Sequence, residues 1–256
     1  CLFLFYVISN YVKKLALIFF ILLISGCTQN YNWGWYILNP RLDSGFSNIQ
    51  FLLSGFSITI SISFLSIFFA LLIGFFVSLL GMSSTKLLIW INRFYIEIFR
   101  SIPLLVLLLW VYYGLPVVFG ISFGPFIAGI ISLAISDSAF EAEIFRAGLQ
   151  SINIGQRDAA KSIGLNKYQE MRLIIFPQAL RIILPAIGNQ FVYVLKMSSL
   201  VSIIGLADLT RKANELVVSV YRPLEVYTFL VLEYLILILI ISFFVRKLEK
   251  KLKTNL

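Results

Sequence analysis

The chain has 256 residues, 60% of them apolar and 13% charged, with a mean hydropathy of +0.94 and a formal net charge of +9. That balance lies far outside the range of a soluble globular domain and defines an integral membrane protein. The chain has no His, the commonest general base and metal ligand, and no Gly followed by Lys, so a phosphate-binding loop of the G-x-x-x-x-G-K-[ST] type does not exist in it. No catalytic site, metal site or bound cofactor is expected, and if transport consumes ATP another chain must hydrolyse it.

The elements follow from the uncharged runs. Lys13 and Lys14 precede a short apolar core that ends in Ile24-Ser25-Gly26-Cys27. Residues 1–27 read either as a cleavable lipoprotein-like signal with Cys27 as its lipidated residue, or as an uncleaved signal anchor. Residues 28–50 read as an external linker and 51–248 as a transmembrane domain. Leu15 to Pro40, Ser44 to Thr85 and Ser101 to Ser136 carry no charge. A crossing needs about 20 apolar residues, so the last run, at 36 residues, is too long for one helix through the bilayer. Gly114, Pro116, Gly120, Gly124 and Pro125 mark its turn, which predicts one span near 101–119 and another from Pro125 to about Ala147. Two more are expected near 185–206 and 224–245, the first of them opened by Pro185. Residues 249–256 form a basic tail. The fold class expected is all-α, a polytopic transmembrane helical bundle.

Lys and Arg collect on the cytoplasmic side of membrane proteins because cationic loops are poorly translocated. With these spans, sixteen of the 21 fall on one side, including six between Arg146 and Arg181 and five from Arg246 onward. Arg41, Arg211, Lys212 and Arg222 fall on the other, and Lys196 lies inside a span. The segment 150–180 is therefore expected in the cytoplasm. The net charge reflects topology and contact with the lipid bilayer, not affinity for nucleic acid.

That segment is polar and helix-forming in an otherwise apolar chain. Asp158-Ala159-Ala160, Gly164 and Phe176-Pro177 read as two short helices around a glycine turn. Alanine adds helix propensity without bulk, and Gly164 is suited to a left-handed helix end. Arg157, Asp158 and Lys161 are placed to pair at the rim of a docking knob. An amphipathic surface loop accounts for the same residues.

Resemblance separates the two. The segment resembles the EAA motif of membrane subunits of bacterial ATP-binding-cassette importers, with Asp158 where the family most often has Glu and Phe176 where it usually has Leu. EIFRSIPLL at Glu97 to Leu105, SAFEAEIFRAGLQSI at Ser138 to Ile152, GQRDAAKSIGL at Gly155 to Leu165, PQALRIILPAIGNQF at Pro177 to Phe191 and LKMSSLVSIIGLADL at Leu195 to Leu209 are similar to the polar amino acid permeases, the histidine, glutamine, glutamate and arginine branch. The resemblance covers about residues 50–250. It implies a five-span permease core in the cell membrane, paired with a second permease subunit that is identical or a sister chain. It also implies two cytoplasmic ATPase subunits that carry the ATP, an external amino acid binding protein, and an amino acid substrate. The ATPase-docking residues it implies are Arg157, Asp158, Ala159, Ala160, Lys161, Gly164 and Pro177. An ion-gradient-driven secondary transporter or channel is the alternative function.

Ionisable groups inside spans face cavities or partners, because hydrocarbon disfavours them by roughly 3 kcal/mol even on lenient scales. Asp137 and Glu141, four residues apart, share a helix face, and Glu143 points almost the opposite way. Asp137, Glu141, Glu143, Lys196, Ser198 and Ser199 are the candidate substrate pathway. An acid that neutralises Lys196 and fixes helix packing is the structural reading of the same residues, and is preferred for Glu233. The outer segment Asp208 to Glu225 is read as a solvated loop rather than a contact for the binding protein.

Overall fold

The computed structural model describes residues 31–253. The signal segment and Cys27 lie outside the described residues. The N-terminal unit, Cys1–Trp35, is described only from Tyr31, where the Tyr31, Trp33 and Trp35 rings pack at centroid distances of 5.3 and 5.4 Å. The rest of the described chain is a helical bundle with no strand among the described residues.

Its elements are α1 (Asp43–Leu53), α2 (Phe56–Gly81), α3 (Lys86–Ser101), α4 (Leu104–Leu109), α5 (Leu115–Phe119), α6 (Pro125–Gln150), α7 (Ile154–Ser162), α8 (Lys167–Glu170), α9 (Phe176–Met197), α10 (Leu209–Val220) and α11 (Pro223–Lys253). Four stretches are long and apolar enough to cross a membrane: Asp43–Gly81, Pro125–Gln150, Lys167–Ile204 and Pro223–Leu252. A fifth crossing is the bent pair Lys86–Ser101 and Leu104–Phe119. Counted with the bent pair as one crossing, the described residues hold five spans, the number expected for the permease core.

Proline explains the bends. Ile102, held extended (φ −79°, ψ 123°) by the ring of Pro103, ends α3, and the chain turns through 96° into α4. Two π turns, Trp110–Gly114 and Met171–Ile175, each end two residues before a proline, Pro116 and Pro177. A proline ring collides with the carbonyl four residues back and gives it no N–H, and widening the preceding turn relieves both problems. The helix that carries Lys196 corrects one expectation. It does not open at Pro185, which sits inside α9, but belongs to one helical stretch that runs from Lys167 to Ile204. Pro177 occupies its first turn, where a missing N–H costs little, and a transmembrane helix tolerates Pro185 in its interior. The second helix of the polar segment is thus the start of a span and not a short separate piece.

The bundle is held by α2 against α6. In lipid no water is released when helices meet, so close packing of small residues drives association. Ser63, Ser66, Ala70, Gly74 and Ser78 are buried on α2, facing Ala128, Gly129, Ser132, Ser138 and Ala142 of α6. A Cβ on Gly74 would lie 2.6 Å from that of Glu141 and 2.9 Å from the Ser138 carbonyl oxygen. In the seam Ser63 Oγ donates to the Thr59 carbonyl at 2.7 Å and Ser132 Oγ to the Ala128 carbonyl at 2.8 Å, whereas Ser66 Oγ has no hydrogen-bond partner among the described residues. Ile62 lies beside Gly129 and Gly74 beside Glu141, so α2 and α6 run parallel. Contacts of Gly148 with Ile183 and of Gly188 with Val245 make α9 antiparallel to α6 and α11 antiparallel to α9. The segments 81–101, 150–175 and 246–253 therefore project from one end, which carries most of the Lys and Arg residues and is called the basic end below.

At the other end, the segment read as a solvated loop is instead a packed amphipathic helix. Leu209, Ala213 and Leu216 of α10 are buried with Leu38, Leu52 and Val226. Its N-terminus docks on the bend between α1 and α2, where Leu209 N donates to Thr59 Oγ1 at 3.2 Å and a Cβ on Gly55 would sit 2.6 Å from Leu209 N. Asp208 caps the helix by accepting from Arg211 N at 2.9 Å and from Tyr234 Oη at 3.4 Å. Burial raises the Asp208 carboxyl to about 6, although those hydrogen bonds favour the ionised form.

Two predictions follow from these contacts. Gly74→Leu forces α2 away from α6 and is expected to cost about 1–3 kcal/mol or more, read as a lower melting temperature in detergent, while Phe76→Leu on the exposed face leaves it unchanged. Because Asp208 holds its proton more tightly folded than unfolded, its protonation stabilises the fold below pH 4, and that contribution is lost as pH rises through about 6. Lowering pH from 7.5 to 5 is expected to stabilise the chain by on the order of 1 kcal/mol relative to Asp208→Asn, in parallel melting curves.

Candidate functional site

The polar segment forms a small, fully capped knob at the basic end. Asn153 caps α7 by accepting from Gly155 N at 2.8 Å. The helix closes with two reverse bonds, Gly164 N to the Lys161 carbonyl at 2.9 Å and Leu165 N to the Ala160 carbonyl at 3.1 Å. That closure requires a left-handed residue, and Gly164 supplies it at φ +81°. Two residues on, Asn166 and Gln169 satisfy each other's backbone N–H groups at 3.0 and 2.9 Å, a capping box that starts α8. Arg157 ties the knob down, donating to the Leu149 carbonyl at 3.3 Å and approaching Glu170 at 3.9 Å.

The two alanines differ. Ala160 is fully buried beneath the knob, and only Ala159 faces outward. Asp158 and Lys161 pair with each other at 3.6 Å on the open surface, an interaction worth little to stability. Nothing lies within 4 Å of a Cβ built on Gly164, so the space in front of it is open. Pro177 is exposed in the first turn of α9. The sequence reading missed the apolar part of this surface: Ile154, Ile163 and Tyr168 are 72%, 73% and 69% exposed around a polar helix. The signal was present, as apolar residues flanking the helix with no helical period to bury them.

The candidate pathway residues divide into three places. Asp137 and Glu141 lie together, buried midway along α6 between α2 and α9. Gln190 of α9 donates to Asp137 Oδ1, while Asp137 Oδ2 and both Glu141 oxygens have no hydrogen-bond partner among the described residues. Glu143 points away to the basic end, where it pairs with Arg100 and, at 3.9 Å, with Arg146; the Arg100 guanidinium lies 5.0 Å from the Phe140 ring centroid. Lys196 is exposed in the last turn of α9 and pairs with neither acid. Ser198 is buried and donates to the Leu195 carbonyl, and Ser199 to the Lys196 carbonyl, each at 2.8 Å. Among the described residues Lys196 thus makes no ion pair with these acids, and the six residues fall in three separate places along the chain. Glu233, preferred as a packing residue, is buried with both oxygens unpartnered.

Five spans, a capped knob at the basic end and buried acids in mid-bundle define a polytopic membrane transport subunit. Residues 70–254 match the family described as the binding-protein-dependent transport system inner membrane component, and the chain belongs to that family. It is 35% identical over 218 residues to the arginine transport system permease protein ArtQ of Bacillus subtilis, covering 85% of this chain and 100% of that one. It is 34% identical over 206 residues to the glutamine transport system permease protein GlnP of Escherichia coli, covering 80% and 94%. Its fold matches the crystal structure of an amino acid ABC transporter with histidines at a TM-score of 0.77 and 40% identity, over 81% of this chain and 97% of that one. The MetNI methionine ABC transporter in an inward-facing conformation shares the fold at a TM-score of 0.68. These likenesses place the chain among multi-pass inner-membrane permeases and favour that reading over the ion-gradient-driven transporter or channel.

Proposed function

We propose that this chain forms the translocation pathway of an ATP-binding-cassette importer for polar amino acids, and that it works only with partners. Those are two ATPase subunits that hold and hydrolyse the ATP, a second permease subunit, and an external binding protein. The observation that carries the reading is the family match over residues 70–254 together with the open knob at Ile154–Leu165. The knob suits a coupling role on physical grounds. Both of its ends are capped, Arg157 braces it, and the chain continues through the π turn into α9, so a push on it is transmitted as rigid-body movement. Its exposed Ile154, Ile163 and Tyr168 give a partner apolar area to cover.

The assignment of Arg157, Asp158, Ala159, Lys161, Gly164 and Pro177 to docking is tested by two changes at one position. Gly164→Ala adds only backbone strain, about 1 kcal/mol. Gly164→Glu adds the same strain plus bulk and charge in the open space before the knob. Uptake in vesicles carrying the whole transporter is expected to fall by on the order of tenfold in Gly164→Glu and far less in Gly164→Ala, with membrane insertion unchanged in both. Undiminished uptake by Gly164→Glu rejects the knob as the coupling element.

For the pathway, the buried acids are the favoured residues. Asp137 and Glu141 hold three unpartnered oxygens behind the contact with Gln190, and separation of α6 from α9 opens them to the cargo. Lys196, Ser198 and Ser199 enter the pathway only in the assembled transporter. Acids without a basic partner bias the site toward a cationic side chain. Asp137→Asn is expected to lower uptake of arginine and lysine relative to glutamine by about tenfold, the worth of one buried charge-assisted bond. An unchanged ranking in competition assays removes the assignment.

A further inference from the structure

A groove of about 730 Å³ between α3 and α6 at the basic end serves neither the knob nor the acid pair. Its charged lining is Arg93, Glu97, Arg100, Glu143 and Arg146. Arg100 and Arg146 both engage Glu143. Arg93 and Glu97 stand one turn apart on the same flank of α3, a spacing at which opposite charges ordinarily meet, and yet neither makes an ion pair among the described residues. The groove thus offers one open cation beside one open anion.

The rest of α3 identifies what occupies it. At about 100° per residue, Leu87, Trp90, Ile91 and Phe94 fall on one stripe, and all four are exposed, with the Trp90 and Phe94 rings stacked at 5.2 Å. Asn92 and Ile96 fall on the opposite side and are buried, Asn92 donating to the Val77 carbonyl at 2.7 Å. Arg93 and Glu97 lie between the two stripes. Since α3 meets the segment Leu104–Phe119 at 96°, a Leu104–Phe119 segment that crosses the bilayer lays α3 along its surface. An in-plane amphipathic helix buries such a stripe at the acyl boundary and keeps its aromatic rings at headgroup depth.

We propose that this groove binds the headgroup of a zwitterionic phospholipid with a primary ammonium, of the phosphatidylethanolamine type: phosphate at Arg93, ammonium at Glu97, acyl chains along the Leu87–Phe94 stripe. Charge complementarity selects it. A choline headgroup has the same net charge but no N–H to give Glu97, and a glycerol headgroup has the phosphate without a cation. A purely anionic lipid meets Glu97 unfavourably. A free zwitterion such as an amino acid satisfies the two charges but leaves the apolar stripe unused.

The test is native mass spectrometry of the full chain, released from detergent with equal amounts of phosphatidylethanolamine, phosphatidylcholine and phosphatidylglycerol. Retention of the ethanolamine lipid is expected to exceed that of either other lipid by about threefold, the size of an exposed ion pair. Glu97→Gln, at an exposed position, is expected to bring that ratio to about one, whereas Arg93→Gln, which removes the partner of the phosphate shared by all three lipids, is expected to lower retention of all of them. Equal retention of the three lipids, a ratio that survives Glu97→Gln, or unchanged retention in Arg93→Gln overturns the proposal. Soluble phosphoethanolamine or a free amino acid that displaces the lipid at equal concentration overturns the lipid as the source of the headgroup.

Discussion

Close approach of α2 and α6 is the constraint on which the rest of this structure depends. The bilayer offers no hydrophobic gain when two apolar helices meet, so their association rests on dispersion at short range, and range is set by the smallest side chains. Gly74 has no room for a methyl group against the Ser138 to Ala142 segment, and Ser63, Ser132 and Ser138 donate their hydroxyls to carbonyls of their own helix. The seam fixes the depth of Asp137 and Glu141, since both project from the stretch of α6 that α2 covers. The helix it holds, α6, ends at Gln150, from which the chain passes to the knob.

The knob shows how a polar segment becomes rigid without a core of its own. It has one fully buried alanine, one arginine brace, and a helix stop that only a left-handed residue permits. Its stiffness comes from satisfied backbone groups at both ends. What it lacks is cover for Ile154, Ile163 and Tyr168, which under the proposed function the ATPase subunit supplies.

Much of this was legible in the sequence, and what was not has physical causes. The run from Ser101 to Ser136 had to turn because no single helix of that length fits a bilayer, and the turn falls at Gly120, which is left-handed in the structure. The stop at Gly164 was readable because one residue type suits that conformation. Pro185 misled, because proline ends helices in water but sits inside them where lipid forbids an unpaired alternative. The segment 208–225 misled as well. Its mixed charges suggest a loop, although Leu209, Ala213 and Leu216 recur at the i, i+4, i+7 spacing of an amphipathic helix and the last two pack with Leu52 and Val226. Pairing of Asp137 with Gln190, rather than Lys196, depends on the rotation of α9 about its axis, which no periodicity in a mostly apolar helix reports.

Burial is uneven among the spans, and the unevenness bears on function. The apolar window of α6 is 56% buried, whereas those of the span ending at Ile204 and of α11 are 17% and 11% buried. The helix that carries the acids is thus the centre of the chain, and the helix that donates Gln190 to them is at its edge. A buried carboxyl left without partners is disfavoured by several kcal/mol, and α6 holds one such group, Glu141, one turn from Asp137, whose hydrogen bond from Gln190 leaves Oδ2 unpartnered. Packing alone does not need them, since leucine or glutamine would fill the same space at lower cost. Under the proposed function, a second arrangement of the helices gives them something to bind, and the lightly held α9, whose Gln190 contacts Asp137, is the element whose displacement makes room for it.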